Sequence, residues 1–249
     1  PNLTTGYTYD SKSRVTVVSP SGEAATTFAY GAGGSQYTGA GDYIDPNPGR
    51  LLSVAQASGL GGSVNTTRLM YDVPRTVATG GPYDLGAAAL VTWAQVDGPT
   101  DATAVFGPQA TGLTTYTATA SAPGPAGYGL ATVHYLNSSA QEVNTAAPAG
   151  TGGAVPAAGY IDTAEYDYHG NVIRTLDATN RLLALKALTG AQASLDSWGL
   201  GAWSSDQLAQ LLDTRMTYSE DGLDLLTQVG PTQKLVVANT GSPVLLRPR

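Results

Sequence analysis

The chain of 249 residues has no cysteine, two histidines, two phenylalanines and two methionines, and only 12% of its residues are charged. Each scarcity excludes something. Without cysteine there can be no disulfide and no thiolate metal site, and thiol chemistry gives no clue to compartment. Twelve Lys and Arg against nineteen Asp and Glu give a net charge of −7. The arginines, among them Arg14, Arg50, Arg68, Arg174 and Arg181, fall singly along the chain. A chain without a basic patch is a poor ligand for nucleic acid or an anionic membrane surface. No apolar run reaches the length that crosses a bilayer, so no membrane insertion is expected. The sequence opens on Pro1 and stops at Arg247-Pro248-Arg249, which reads as a fragment or processed piece of a longer protein.

What is present is small and turn-forming. Thirty-one Gly and fifteen Pro punctuate short runs rich in Thr, Val and Ala, and fourteen Tyr supply most of the aromatic area. Tyr packs its ring while keeping a hydroxyl for a hydrogen bond, which suits a sheet with wet surfaces. Alternation of small polar with β-branched residues predicts antiparallel strands. The expected strands are 6–9, 15–19, 26–30, 51–56, 66–72, 114–120, 131–136, 142–146, 162–167, 172–177, 215–219, 225–229 and 234–238. Two stretches break the alternation. Residues 83–95 predict a helix with Asp84 as its N-cap and Leu90 and Trp93 on one face. Residues 181–214 predict a helical hairpin, its second helix opened by the capping box Ser204-Ser205-Asp206-Gln207. The loops 31–49, 79–82, 122–129 and 148–159 are rich in small residues; the last is linker-like, yet one domain spanning 1–249 is expected.

A phrase recurs across this pattern. Tyr166-Asp167-Tyr168-His169-Gly170-Asn171-Val172 is its clearest copy, and Tyr9-Asp10-Ser11-Lys12-Ser13-Arg14-Val15 repeats it with Ser13 in the glycine place. Tyr218-Ser219-Glu220-Asp221-Gly222-Leu223 is more eroded, and Tyr135 heads a further copy with one extra residue before Ala140-Gln141. Repetition of a short unit implies neighbours that stack to bury a core. Each unit reads as a hairpin: Tyr ends a strand and packs on the next hairpin, Asp caps the turn, Gly takes the left-handed conformation, and Arg or Asn begins the return strand on a wet face. Tyr9, Asp10, Arg14, Tyr166, Asp167, Gly170, Asn171, Tyr218 and Gly222 are thus expected to hold a wall.

These residues, with Ala131–Leu136, Gln141–Pro148, Thr163–Arg174 and the Leu/Ala-rich insertion ending in Ser-Ser-Asp-Gln, resemble the RHS/YD-repeat family of actinobacterial RHS proteins, insecticidal toxin-complex C components and teneurins. The resemblance runs over roughly the whole chain, strongest in 130–230 and 6–22. It implies an all-β fold in which stacked hairpins form a β-solenoid-like spiral shell that encloses or presents a C-terminal, toxin-like domain of the same parent protein. It implies a non-enzymatic, secreted or cell-surface role, with the remaining shell segments as partners. The family's self-cleavage signature is not visible; Asp45-Pro46-Asn47-Pro48-Gly49 matches it in composition alone.

The chemical alternatives are thin. His134, in a strand, reads as packed, and His169, at a turn, as exposed. The acid pairs Asp221 with Asp224, Glu165 with Asp167, and Asp42 with Asp45 read as turn caps or solvated edges rather than the two carboxylates of a glycosidase. Asp162…Asp167 and Ser219–Asp224 fall short of a calcium loop. The glycine clusters 31–34 and 59–62 lack the lysine and helix of a phosphate loop. No catalytic, metal or cofactor site is assigned. Trp198 and Trp203 are candidates for stacking sugars, the basis of an alternative reading as a carbohydrate-binding or adhesive surface.

Overall fold

A computed structural model describes residues 3–31, 49–58, 63–108, 110, 125–148, 157–236 and 243–249. The chain is mostly β. Twelve strands form one antiparallel sheet whose spatial order is their order in sequence. They are β1 (Thr5–Tyr9), β2 (Val15–Pro20), β3 (Thr26–Tyr30), β4 (Leu51–Ala57), β5 (Val64–Met70), β6 (Asp101–Phe106), β7 (Ala131–Leu136), β8 (Glu142–Ala146), β9 (Ile161–Tyr166), β10 (Val172–Leu176), β11 (Thr214–Tyr218) and β12 (Leu225–Val229). β1 and β12 are the two ends, so the sheet is open. A separate two-stranded sheet, β13 (Gln233–Val236) with β14 (Pro243–Leu246), follows. The expected strand 114–120 lies outside the described residues.

Alternation sets which side chains are covered. Ala102, Ala104 and Phe106 of β6, Ala131, Val133 and Tyr135 of β7, and Ile161, Thr163 and Glu165 of β9 are buried, and their neighbours are not. One face of β5–β10 therefore carries the core, and the strands β1–β4 contribute no buried residue to it. The cover comes from two insertions. The first leaves the turn between β5 and β6 and holds α1 (Ala87–Leu90), followed by a 3-10 turn over Val91–Trp93. The second lies between β10 and β11 and holds α2 (Ala178–Ala184), α3 (Ala191–Ser197) and α4 (Ser205–Leu212). α4 packs against α2 and against the Val91–Trp93 turn, so the insertions meet over the sheet. Leu182, Leu195, Leu208, Leu212 and Trp93 are buried there, each Leu stabilising by about 2 kcal/mol through apolar burial.

Both helical expectations need correction. Residues 83–95 form barely two turns, capped by Gly86 rather than Asp84. The Asp84 carboxylate accepts from the Gly86 N–H, ahead of the helix, and the left-handed Ala94 (φ 55°) ends the following 3-10 turn, so the segment stays short. Leu90 and Trp93 are buried as expected. The second insertion has three helices, not two; it opens at Ala178 because Asp177 accepts from the Asn180 N–H as N-cap. The Ser204/Gln207 capping box is present.

A buried ionic cluster ties the insertions to the sheet. Arg174 of β10 donates through Nε to Asp213 (2.7 Å), through Nη1 to Glu165 (3.1 Å) and the Ala94 carbonyl (3.0 Å), and through Nη2 to the Trp93 carbonyl (2.8 Å). Arg215 and Arg247 also bind Asp213, whose carboxylate is wholly buried. Beside it, Gln95 and Asn144 exchange amide hydrogen bonds, joining the first insertion to β8. The carboxylate of Glu165, read from sequence as capping or solvated, is instead buried between Arg174 and the Val96 N–H. Arg181 lies over the Trp93 ring at 4.0 Å, and burial lowers its pKa to about 10.

Candidate functional site at the hairpin tips

Four of the turns along one edge of the sheet share a single construction. Asp10, Asn137, Asp167 and Ser219 each accept, on the backbone carbonyl, the N–H of the residue three places on, namely Ser13, Ala140, Gly170 and Gly222. Those four residues all have left-handed φ, at 61°, 59°, 89° and 75°. A type I turn followed by a left-handed residue and a bulge closes a hairpin with the right twist. The register shifts one residue inside each tip, as the bulge requires, and sets Tyr9 against Val15, Leu136 against Glu142, Tyr166 against Val172 and Tyr218 against Leu225.

The register corrects the Tyr135 copy. Leu136, not Tyr135, holds the tyrosine place, and Asn137 holds the aspartate place, so the apparent extra residue vanishes. Tyr135 points to the other face and is fully buried. In the Tyr218 copy Ser219 replaces aspartate, with Asp224 N–H on its hydroxyl, and the loop is one residue longer. A fifth copy was hidden by length: Tyr30 and Leu51 pair across a tip in which Gly31 N–H donates to Arg50 and Gly49 N–H donates to Gly31.

The carboxylates act as caps. Asp10 accepts from the N–H groups of Lys12 and Arg14, and Asp167 from those of His169 and Asn171. The neutral Asn137 does the same for Ser139 and Gln141. Asp10 has a lowered pKa, mainly through the Arg14 N–H. For Asp167, desolvation raises the pKa but the Asn171 and His169 donors outweigh it, and the net shift is downward. Asp221 is lowered chiefly by the Ser219 hydroxyl.

Three of the junctions between neighbouring tips are linked in the same way. The phenol of Tyr30 donates to the carbonyl of Val15, that of Tyr71 to Leu51, and that of Tyr166 to Glu142, all at 2.9 Å. Each ring thus reaches back to the preceding hairpin, opposite to the sequence expectation. Arg14 stacks on Tyr30 and Arg50 on Tyr71, with guanidinium carbons 4.6 and 4.4 Å from the ring centres. At the next junction Asn171 donates to the Gly222 carbonyl, while Tyr168 and His169 engage the Glu220 carbonyl. His169 is exposed, as expected.

The remaining candidates do not converge. His134 Nδ1 lies 2.9 Å from Glu142, half exposed, and the Thr145 hydroxyl donates to the same Glu142 oxygen. Glu142 and Thr145 border a cleft of about 250 Å³, lined also by Asp162, Thr175, Asp177 and Leu212 of α4. A second cleft of about 740 Å³ lies between Val91, Val96, Gln210 and Met216, over Arg174. Among the described residues no three His, Asp or Glu gather to hold a metal ion, and no helix is long and apolar enough to cross a membrane. Trp198 packs partly buried against the core, whereas Trp203 is 41% exposed. Asp42, Asp45 and most of the glycine clusters lie outside the described residues. No protein-family model matches this chain, and no match to a curated protein was found.

Proposed function

We propose that this chain is a non-enzymatic wall segment of an RHS/YD-repeat shell, secreted or displayed at the cell surface. In this role it encapsulates or presents a toxin-like domain of its parent protein. The supporting observation is the unbroken order of twelve strands, with hairpin tips chained along one edge by phenol-to-carbonyl bonds. Such an arrangement extends by adding hairpins and needs no reactive group. Its mechanism is exclusion: a continuous hydrogen-bonded wall denies a protease or solvent access to what lies behind it. The partners are the other shell segments and the enclosed domain.

Limited proteolysis of the parent protein tests this. The enclosed domain is expected to resist digestion while the wall is folded and to become sensitive when Asp213→Ala loosens it. Equal digestion in both states contradicts the proposal.

Exposure of Trp203 favours one second reading, a carbohydrate-binding or adhesive surface. Binding on a glycan array that is lost in Trp203→Ala supports it, and silence across the array opposes it.

A further inference from the structure

The buried ionic cluster holds a short piece of backbone in place at the mouth of a cleft. Arg174 donates to the carbonyls of Trp93 and Ala94 at 2.8 and 3.0 Å, and Glu165 accepts from the Val96 N–H at 2.9 Å. Between them the buried Gln95 accepts from the Trp93 indole and exchanges amide bonds with Asn144. Four consecutive residues are thus fixed by side chains from β8, β9 and β10. Ala94 is left-handed, with φ 55°, a conformation that an L residue enters only at a cost. The residue delivered by this support is not packed. Val96 is 89% exposed, and Val91, at the start of the same turn, is 64% exposed.

A lone surface valine needs no explanation. Here, however, costly buried charges and a strained residue secure it, and strain of this kind gathers at binding sites. The two valines edge the cleft of about 740 Å³, with Ile173 and Met216 as further apolar lining. That volume falls among those of ligand sites, about 300–1,000 Å³. Charge selects the occupant. Three guanidinium groups, of Arg174, Arg215 and Arg247, meet two carboxylates, of Glu165 and Asp213, which leaves one positive charge over. Arg215 displays the surplus into the cleft it lines, its side chain 47% exposed against 6% and 26% for the other two. It meets Asp213 through Nε alone, and no described residue accepts from its two Nη nitrogens. Asp206, a further acid of the lining, is engaged at the first turn of α4, where the Ser204 hydroxyl holds its pKa down.

We infer that this cleft binds an extended acidic segment of a partner protein. Its carboxylate pairs with the Arg215 Nη groups, and an adjoining Leu, Ile or Val side chain lies against Val91 and Val96. A planar guanidinium with both Nη groups open meets a carboxylate in two parallel hydrogen bonds, which a neutral amide cannot match. Because residues 93–96 are already fixed, the partner does not bear the cost of ordering its receptor. The inference stands on the cleft alone and does not depend on the shell reading.

Selection of a random heptapeptide phage library on the immobilised chain tests it, with the Val96→Asp chain for counter-selection. Val96 and Arg215 are both exposed, and circular dichroism checks that each variant keeps the sheet. Enriched peptides are expected to carry Asp or Glu within two positions of Leu, Ile or Val. In fluorescence anisotropy, an enriched peptide should bind about ten-fold more weakly once its acid is replaced by the amide. Arg215→Gln should cause a similar loss, and Val96→Asp a loss at least as large. The Val91 and Val96 methyl resonances should shift as the peptide is titrated in. No enrichment over the Val96→Asp chain, enriched peptides that lack an acid, binding unchanged by Arg215→Gln, or valine methyls that stay still overturns the inference.

Discussion

Arg174 Nε lies 2.7 Å from the buried carboxylate of Asp213, and through this pair the return strand of one hairpin is fastened to both helical insertions. Arg215 and Arg247 share the same carboxylate. Removing it would leave a buried arginine facing two partly screened ones. Breaking a buried pair in this way costs about 3–5 kcal/mol, far more than the pair itself contributes. Asp213→Ala is therefore expected to lower unfolding stability by that amount in urea, with β11 and the β13–β14 hairpin loosening together.

The capping aspartates give the tips an acid dependence. Asp10 and Asp167 have folded pKa values below 3.8. A depressed carboxylate contributes stability that is full above its unfolded pKa and lost as pH falls through the folded one. Amide protection at Lys12, Arg14, His169 and Asn171 should thus fall below about pH 3.8 and not before. Asp167→Asn should keep its tip protected, because Asn137 caps with a neutral amide, and should remove the acid dependence at His169 and Asn171. Hydrogen exchange followed by NMR against pH reads both.

Left-handed φ at Ala140 and Gly222 predicts opposite responses. Ala140 has φ 59°, which costs an L residue about 1 kcal/mol. Ala140→Gly should recover most of that and raise Tm. Gly222→Ala should lower Tm, since φ is +75° and an added Cβ would sit 2.5 Å from the His169 ring. Calorimetry of the two variants distinguishes a tip that needs this backbone from one that tolerates it.

The Tyr166 hydroxyl links two hairpins through the Glu142 carbonyl. Tyr166→Phe keeps the ring and should cost about 1 kcal/mol, the usual net worth of one hydrogen bond. The loss should appear as faster exchange along β8 and β9, with the β9–β10 tip unaffected.

The sequence discloses this architecture unevenly. Strands with clear alternation, such as 131–136 and 142–146, and the capping aspartates were legible, because local chemistry dictates both. Asp101–Phe106 is not legible as a strand: Asp-Ala-Thr-Ala-Val-Phe reads as weakly patterned until Ala102 and Ala104 are seen buried under the helical cover. Both strands of the Tyr30 hairpin are legible, but its copy of the phrase is hidden because the segment 32–48 separates Tyr30 and Gly31 from Gly49 and Leu51. Tyr135 misleads because two large side chains, Tyr135 and Leu136, adjoin, and only pairing register tells which faces which side. Glu165 looked like a solvated acid because its partners, Arg174 and the Val96 N–H, are far away in sequence.

A continuous wall requires successive hairpins to pair with one another, and cross-strand NOEs at the junctions test this most directly. The expected result is contacts between Val17 and Thr27, Ala55 and Thr66, Asn144 and Thr163, and Thr175 and Thr214, alongside those within each hairpin. Hairpins intact within themselves but silent toward their neighbours would contradict a continuous wall.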